Sequence, residues 1–482
     1  MLLSNLLENV EAESIKGSVD IAVQNVAFDT KDVVQGSVFV CLKGHTTDGH
    51  LFADIALAKG AVAVVCSREI YAGEATVVKV KDTRIALAVM ASNFFGNPCK
   101  RLKIIGVIGT NGKSTTAYLI HKMLSDNGIP CGLIGTMYVE YAGKREQADM
   151  TTPDPTNLHA LFKTMLDSGC KWVVMEISAH AIALRKLYGV FVNTAIFTNL
   201  SQDHLDFFEN LDNYKICKKS FFDADNVGCA LVNVDDDCGR EIIKECNAPV
   251  LTYGLDNPAD CFAIDYQPSV DGCRYVINML DEILPIYTHL YGKFNVYNVL
   301  SATLAVKMAG VDNSSIIASL ENVTPPAGRF NVFHSMGRTY IIDFAHTPDG
   351  LYNVLKESRK LTDKRLIFVF GCGGDRDVSK RPVMGKIASE MADVAVVTSD
   401  NPRTESRKSI AQDIIAGMCG KAKLFVELDR GKAIELAKEL SRQGDVVLIA
   451  GKGSEDYIDE MGVKKPYSDM AQLVRINAIA IR

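Results

Sequence analysis

Residues 101–120, RLKIIGVIGTNGKSTTAYLI, constrain the fold more than any other stretch. The apolar, largely β-branched run at 104–108 predicts a buried strand, the turn after it holds Gly109 and Gly112, and a helical run opens on Lys113, Ser114 and Thr115. Glycines in such a turn let backbone N–H groups face a phosphate at the positive end of a helix. Lys113 would then reach the β- and γ-phosphates, and Ser114 or Thr115 a Mg²⁺ ion. The match to GxxxxGK[ST] is partial, because Val107 stands at the first glycine position. The flanking strand and helix are what raise a commonplace Gly-Lys-Ser tripeptide to a nucleoside triphosphate site.

A chain of 482 residues has room for about three domains. A hydrophobic content of 48% with 23% charged residues is that of a globular protein, and the net charge of −6, with no basic tract, argues against nucleic acid as a partner. The first residues lack a signal-peptide pattern, and no apolar run approaches the ~20 residues needed to span a bilayer. A cytoplasmic protein is expected. Thirteen cysteines without a C-x-x-C pair fit buried thiols better than disulfides or a zinc site.

Residues 1–100 mix short strand-like runs (38–42, 61–66) with the turn Asp48-Gly49-His50 and close on Gly96-Asn97-Pro98. From 101 to 326, apolar strands at 171–177, 193–198 and 230–234 alternate with helical patterns, as a parallel sheet requires. Pro325-Pro326-Ala327-Gly328 marks a break, and strands at 340–344, 366–370, 394–398 and 446–449 predict a second open α/β sheet in 327–482. Ligands of such sheets bind outside the carboxyl ends of the strands, and polar clusters fall there repeatedly: Glu176-Ile177-Ser178, the segment 198–204, the segment 371–377, Asp400-Asn401-Pro402-Arg403 and the segment 451–455.

Mg²⁺ takes oxygen ligands and needs one or two carboxylates near the phosphates, which makes Glu176 its candidate; His204 is a less usual neighbour. The stretch 214–222, YKICKKSFF, places Lys215, Lys218 and Lys219 within five positions of a helix. Like charges at that spacing would depress one another's pKa, and a neutral amine can take up CO₂ as an anionic carbamate. From spacing alone a solvated basic face is the favoured reading.

GTNGKST (109–115), TTPDP (151–155), MEISAH (175–180), FTNLSQDHLDF (197–207), YKICKKSFF (214–222), GKFNVYN (292–298), GRF (328–330), DFAHTPD (343–349), GCGGDRDVSKRP (371–382), DNPR (400–403) and GKGSE (451–455) resemble, in order and over essentially the whole chain, the motifs of the Mur ligases. The resemblance is to the branch that adds the third amino acid of the peptidoglycan stem peptide. It implies an N-terminal α/β domain for a uridine nucleotide, a central ATPase domain of P-loop type and a C-terminal Rossmann-like domain for the incoming amino acid. It further implies ATP and Mg²⁺ as cofactors, small-molecule substrates as partners, and a monomer.

Residue by residue, the resemblance assigns the loop Gly109, Thr110, Asn111, Gly112, Lys113 and Ser114 to ATP, with Asn295, Asn298, Arg329, Asp343 and His346. Thr115, Glu176, His204 and a carbamylated Lys218 are assigned to Mg²⁺. Thr30, Thr151, Thr152, Ser178, Arg185 and Lys186 fall to UDP-N-acetylmuramoyl-L-Ala-D-Glu. Arg376, Asp400, Asn401, Pro402, Arg403, Gly451 and Glu455 fall to the amino acid, and the DNPR form resembles that of relatives using meso-diaminopimelate rather than L-lysine. The chain departs from the family at Ala179, at Lys186 in place of an arginine, at Thr30-Lys31, Phe208 and Phe344, and at Ser454 in place of a histidine. Two rival expectations are a ligase of the same superfamily with another acceptor, such as a folylpolyglutamate or cyanophycin type, and a non-catalytic nucleotide-binding regulator.

Overall fold

A computed structural model describes residues 1–44, 47–223, 225–269 and 272–479. Short apolar runs make its parallel strands, and they gather into three sheets. Residues near the N-terminus form a five-stranded sheet in the order Ala12–Lys16, Thr76–Val80, Ala61–Cys66, Ser37–Val40, Asn25–Ala27, parallel except for the first strand. Asp48 accepts from the His50 N–H and starts a single 3₁₀ turn, Gly49–Phe52, at its edge.

The large sheet has eleven strands, and at its middle Lys103–Ile108 lies between Trp172–Ile177 and Thr194–Phe197. All three run parallel, with Ile177 and Phe197 each level with Ile108, so the loops after them open at one edge. Chain order reverses across Lys103–Ile108, the kind of point where open α/β sheets bind ligands. The uniformly parallel sheet expected from the sequence is corrected at both margins. Tyr138–Tyr141 and Lys144–Gln147 form an antiparallel hairpin on one side, and Cys261–Ser269, Gly272–Met279 and Glu282–Thr288 an antiparallel meander on the other.

A third sheet of six strands runs Asn331–Ser335, Arg338–Asp343, Val446–Ala450, Leu366–Phe370, Val394–Val397, Lys423–Val426, antiparallel only in its first pair. Four of its five parallel strands end at Asp343, Phe370, Val397 and Ala450, and the loops after them converge. Strand cores in both larger sheets are fully buried on both faces, as helices on each side require. Helices of 18 or more residues with the hydropathy of a membrane span are absent from the described residues.

Candidate active site

The turn after Lys103–Ile108 needs glycine at two places. Gly109 (φ 153°) runs against the Thr198 side chain, and a Cβ on Gly112 (φ 87°) would stand 2.5 Å from Asn298 Oδ1. The strand is thereby held close to its neighbours, and the helix Lys113–Asp126 starts directly at the loop. Asn199 fixes the loop from the side, accepting from the Thr110 N–H through its carbonyl and from the Asn111 N–H through Oδ1, each at 2.9 Å. Lys113 folds back over the loop, its Nζ donating to the carbonyls of Gly109 (2.9 Å) and Thr110 (2.8 Å). Burial lowers its pKa.

Glu176, near the end of the adjacent strand, is 2% exposed. Its carboxylate accepts from Ser114 Oγ at 2.8 Å and from Thr136 through N–H (2.7 Å) and Oγ1 (3.0 Å). The hydroxyl brought to Glu176 from the helix start is that of Ser114, one of the two the sequence offers; consecutive helical residues point about 100° apart. Arg329 Nη2 donates to the same Ser114 Oγ at 3.1 Å, with its guanidinium 4.4 Å from the Phe344 ring. Phenylalanine at 344 keeps the aromatic platform that a tyrosine would give.

Lys218 lies on the helix Leu211–Lys219 and is fully buried, donating to Thr110 Oγ1 at 2.8 Å with its Nζ 4.0 Å from the Tyr214 ring. Burial holds its pKa well below the usual lysine range, and the Lys113 charge adds to this. The flanking lysines are not the cause, a second correction. Lys215 and Lys219 turn to Glu241 and Glu245 at 2.8–3.0 Å, and their own pKa values are raised. Spacing correctly located the basic stretch, whereas the singling-out of one lysine depends on the partner helix Asp237–Glu245.

His204 takes a left-handed conformation (φ 55°) after Asp203. Its Nε2 is 3.4 Å from Asp203 Oδ2, its ring packs edge-on to His180 with centroids 4.8 Å apart, and burial lowers its pKa to about 4. Asp203 enters the sequence reading only as part of the segment 198–204. Burial would raise its carboxyl, but the charges on His204, His346 and Lys380 bring it below the usual carboxylate range.

On the far side of Glu176, Thr152 Oγ1 donates to the Glu176 carbonyl at 2.9 Å and accepts from the Ser178 N–H at 3.0 Å. Thr151 Oγ1 lies 3.1 Å from Thr136 Oγ1, and Ser178 caps the following helix. Lys186 Nζ is buried against Asp154 (2.9 Å) and the Thr152 carbonyl (3.3 Å), while Arg185 is exposed. Lys186 thus occupies the inward place and Arg185 does not. Thr30 lies in the N-terminal unit, where its carbonyl accepts from Lys59 Nζ at 2.6 Å.

Asn295 and Asn298 bond to the Tyr291 carbonyl and to each other at 2.8 and 2.9 Å. With Gly112 against Asn298, they buttress the back of the phosphate loop. Asp343 accepts from the N–H groups of Phe330 (2.8 Å) and Ala345 (2.7 Å), and burial raises its pKa to about 6. Two bonds join the phosphate loop to the third sheet's side of the molecule: Arg329 to Ser114, and Asn111 Nδ2 to Asp349 Oδ2 at 2.9 Å.

A cavity of about 180 Å³ lies between the central and C-terminal sheets. Asp203 and His204 line it from one side, and Arg376, Asp400, Asn401, Arg403, Gly451 and Glu455 from the other, with His346 and Lys380. Pro402 is buried outside the lining. Arg403 (φ 50°) is pinned through its backbone to the hairpin Tyr457–Glu460 and Val463–Pro466, its N–H donating to the Asp459 carbonyl at 3.0 Å, and its guanidinium donates to the Gly374 carbonyl. Asn401 is turned toward a buried cluster in which Lys452 Nζ donates to Asn401 Oδ1 (2.9 Å) and Glu455 (3.0 Å). Lys452, like Lys380, carried no spacing signal that would have singled it out.

Residues 107–306 match the Mur ligase middle domain, 328–453 the Mur ligase glutamate ligase domain, and 22–95 the Mur ligase family catalytic domain. A UDP-N-acetylmuramoyl-L-alanyl-D-glutamate–2,6-diaminopimelate ligase of Clostridium perfringens is 40% identical over 466 residues, covering 95% of each chain. A solved structure of a ligase with the same name superposes with a TM-score of 0.71 at 30% identity over 99% of both chains. The MurF ligase of Thermotoga maritima in complex with ADP, 19% identical, shares the fold with a TM-score of 0.64 over 94% of this chain and 97% of its own. With all three family segments present in order and relatives of this identity along nearly its full length, the chain belongs to the Mur ligase family.

Proposed function

We propose that this protein is an ATP-dependent amide ligase that joins meso-diaminopimelate to the D-glutamate carboxylate of UDP-N-acetylmuramoyl-L-Ala-D-Glu through an acyl phosphate, in peptidoglycan precursor synthesis. The observation that carries the reading is the single cavity in which Asp203 and His204, beside the phosphate loop, face Arg376, Arg403 and Glu455. An activated carboxylate and an incoming amine have to meet, and this is where the two halves of such a reaction would adjoin. The 2,6-diaminopimelate named for the Clostridium perfringens relative supports the choice of amino acid.

Lys113 and Arg329 neutralise phosphate charge and hold the γ-phosphoryl group in line with the attacking carboxylate. Glu176 and Ser114 offer Mg²⁺ a buried carboxylate and a hydroxyl, the oxygen donors it prefers, and the bound ion supplies charge neutralisation at the phosphates. Lys218, whose charged form burial disfavours, would carry a carbamate: its nitrogen bonds to the CO₂ carbon, one proton leaves to solvent, and the resulting anion would offer the ion a further oxygen ligand. Thr151, Thr152, Ser178 and Lys186 hold the muramoyl-peptide, whereas residues 1–100, with Thr30, bind the uridine end and contribute no chemistry. Arg403 and Arg376 take the distal carboxylate of diaminopimelate, and Gly451 and Glu455 the other end. The units 1–100, 101–326 and 327–482 act together as a monomer in the cytoplasm.

Phosphate release with the UDP-dipeptide, ATP and a panel of amino acids tests the reading. Turnover with meso-diaminopimelate far above that with L-lysine is expected. Equal or greater turnover with L-lysine would overturn the specificity, and phosphate release independent of both substrates would overturn the ligase.

A further inference from the structure

The helix Lys380–Met391 opens with two buried cations that the fold treats in opposite ways. Arg381, 1% exposed, is matched by carboxylates: its guanidinium donates to Glu405 at 2.7 and 2.8 Å and to Asp413 at 2.9 Å. Lys380 is 8% exposed and lines the cavity, yet among the described residues it makes no hydrogen bond or ion pair. A buried ammonium without a counter-charge is costly, and the first position of a helix adds the positive end of the helix to it. At that end the Asp377 carboxylate accepts from the Ser379 N–H (2.9 Å) and hydroxyl (2.5 Å), but it makes no ion pair with Lys380. The ammonium is the group left to meet an anion in the cavity.

The surroundings select which anion. Lys380 shares the field at Asp203 with His204 and His346. His204 in turn lies beside Tyr214, with centroids 6.2 Å apart, and Tyr214 Oη is 3.4 Å from the Thr110 hydroxyl that holds Lys218. Arg403 is engaged elsewhere, with the Gly374 carbonyl and the hairpin that follows Glu455. The guanidinium thus marks a carboxylate end of the cavity and Lys380 its phosphate end.

We infer that Lys380 binds the phosphoryl oxygens of the acyl phosphate and of the inorganic phosphate released from it, so that the sheet carrying the amino acid also grips the leaving group. This rests on the ligase reading above. In the step concerned the amine nitrogen bonds to the acyl carbon, the carbon–oxygen bond to the phosphoryl group breaks with its electron pair going to phosphate, and one amine proton goes to solvent.

The test is steady-state ligation by the full-length protein with inorganic phosphate added as a product inhibitor. In Lys380→Ala, kcat is expected to fall by about tenfold or more and the inhibition constant of phosphate to rise by roughly fivefold or more, with KM for diaminopimelate little changed. Lys380→Arg should keep the phosphate inhibition. If circular dichroism shows Lys380→Ala unfolded, Lys380→Met gives the same reading with the stem retained. Unchanged phosphate inhibition in the variant, a wild-type protein that phosphate does not inhibit, or a rise confined to KM for diaminopimelate would each overturn the inference. A wild-type protein that ligates no amino acid would instead overturn the ligase reading.

Discussion

The phosphate loop and the amino-acid loops both sit at carboxyl ends of parallel strands, yet they hold their cations by opposite means. Around the phosphate loop, Lys113 bonds to two carbonyls and Lys218 to a hydroxyl, partners that carry no charge of their own. Around the amino-acid loops, Lys452 meets Glu455 and Arg430 meets Asp469 at 2.7 Å with both side chains fully buried. The first arrangement is ready to receive phosphate, and the second is a finished scaffold that orients loops. Removing Lys113 or Lys218 should therefore cost activity, and removing Arg430 stability.

The largest effect is expected at Arg430. Arg430→Leu strands the Asp469 carboxylate in the interior, and urea unfolding should register a loss of about 3–5 kcal/mol, largely restored in the double variant Arg430→Leu, Asp469→Leu. Lys218→Ala is the mirror case: kcat should fall by about 10²–10³-fold while the unfolding midpoint holds, because no buried carboxylate loses a partner. Partial rescue by bicarbonate or a short carboxylate would support the carbamate, and a stability loss as large as that of Arg430→Leu would erase the contrast. Arg403→Ala should depress kcat/KM for meso-diaminopimelate on the order of 10²-fold, with far less effect on use of L-lysine, as competition between the two amino acids would show. The smallest difference concerns adjacent hydroxyls: Ser114→Ala is expected to raise the Mg²⁺ requirement by roughly tenfold, and Thr115→Ala much less. An equal effect of the two would return Thr115 to the metal.

The parallel strands were legible because a strand buried on both faces must be a short, continuous apolar run, as at Leu366–Phe370 and Val446–Ala450. The meander was not, because Cys261–Ser269 is mostly exposed after its first residues and reads as polar and irregular. At the site, local pattern revealed Lys113 and Glu176, whose positions follow from one strand and one turn. What it could not show was which lysine is buried. Lys218 differs from Lys215 and Lys219 through Glu241 and Glu245, more than twenty residues away, and Lys380 differs from Arg381 through Glu405 and Asp413. Resemblance to the family spoke to that gap by selecting Lys218; it assigned Thr115 to the metal, while the hydroxyl bonded to Glu176 is that of Ser114.

The bond from Asn111 to Asp349 ties a residue of the phosphate loop to the helix Pro348–Arg359, which leaves the same sheet that carries the amino-acid loops. A nucleotide held at the loop would act on this bond, and through it on how firmly the two sheets enclose the cavity. Coupling of this kind has no preferred direction: whatever factor nucleotide applies to the affinity for the amino acid, the amino acid applies to the affinity for nucleotide. With the Arg329–Ser114 bond beside it, this amide–carboxylate contact makes Asn111 a residue whose alteration would be felt by the ligand it never touches.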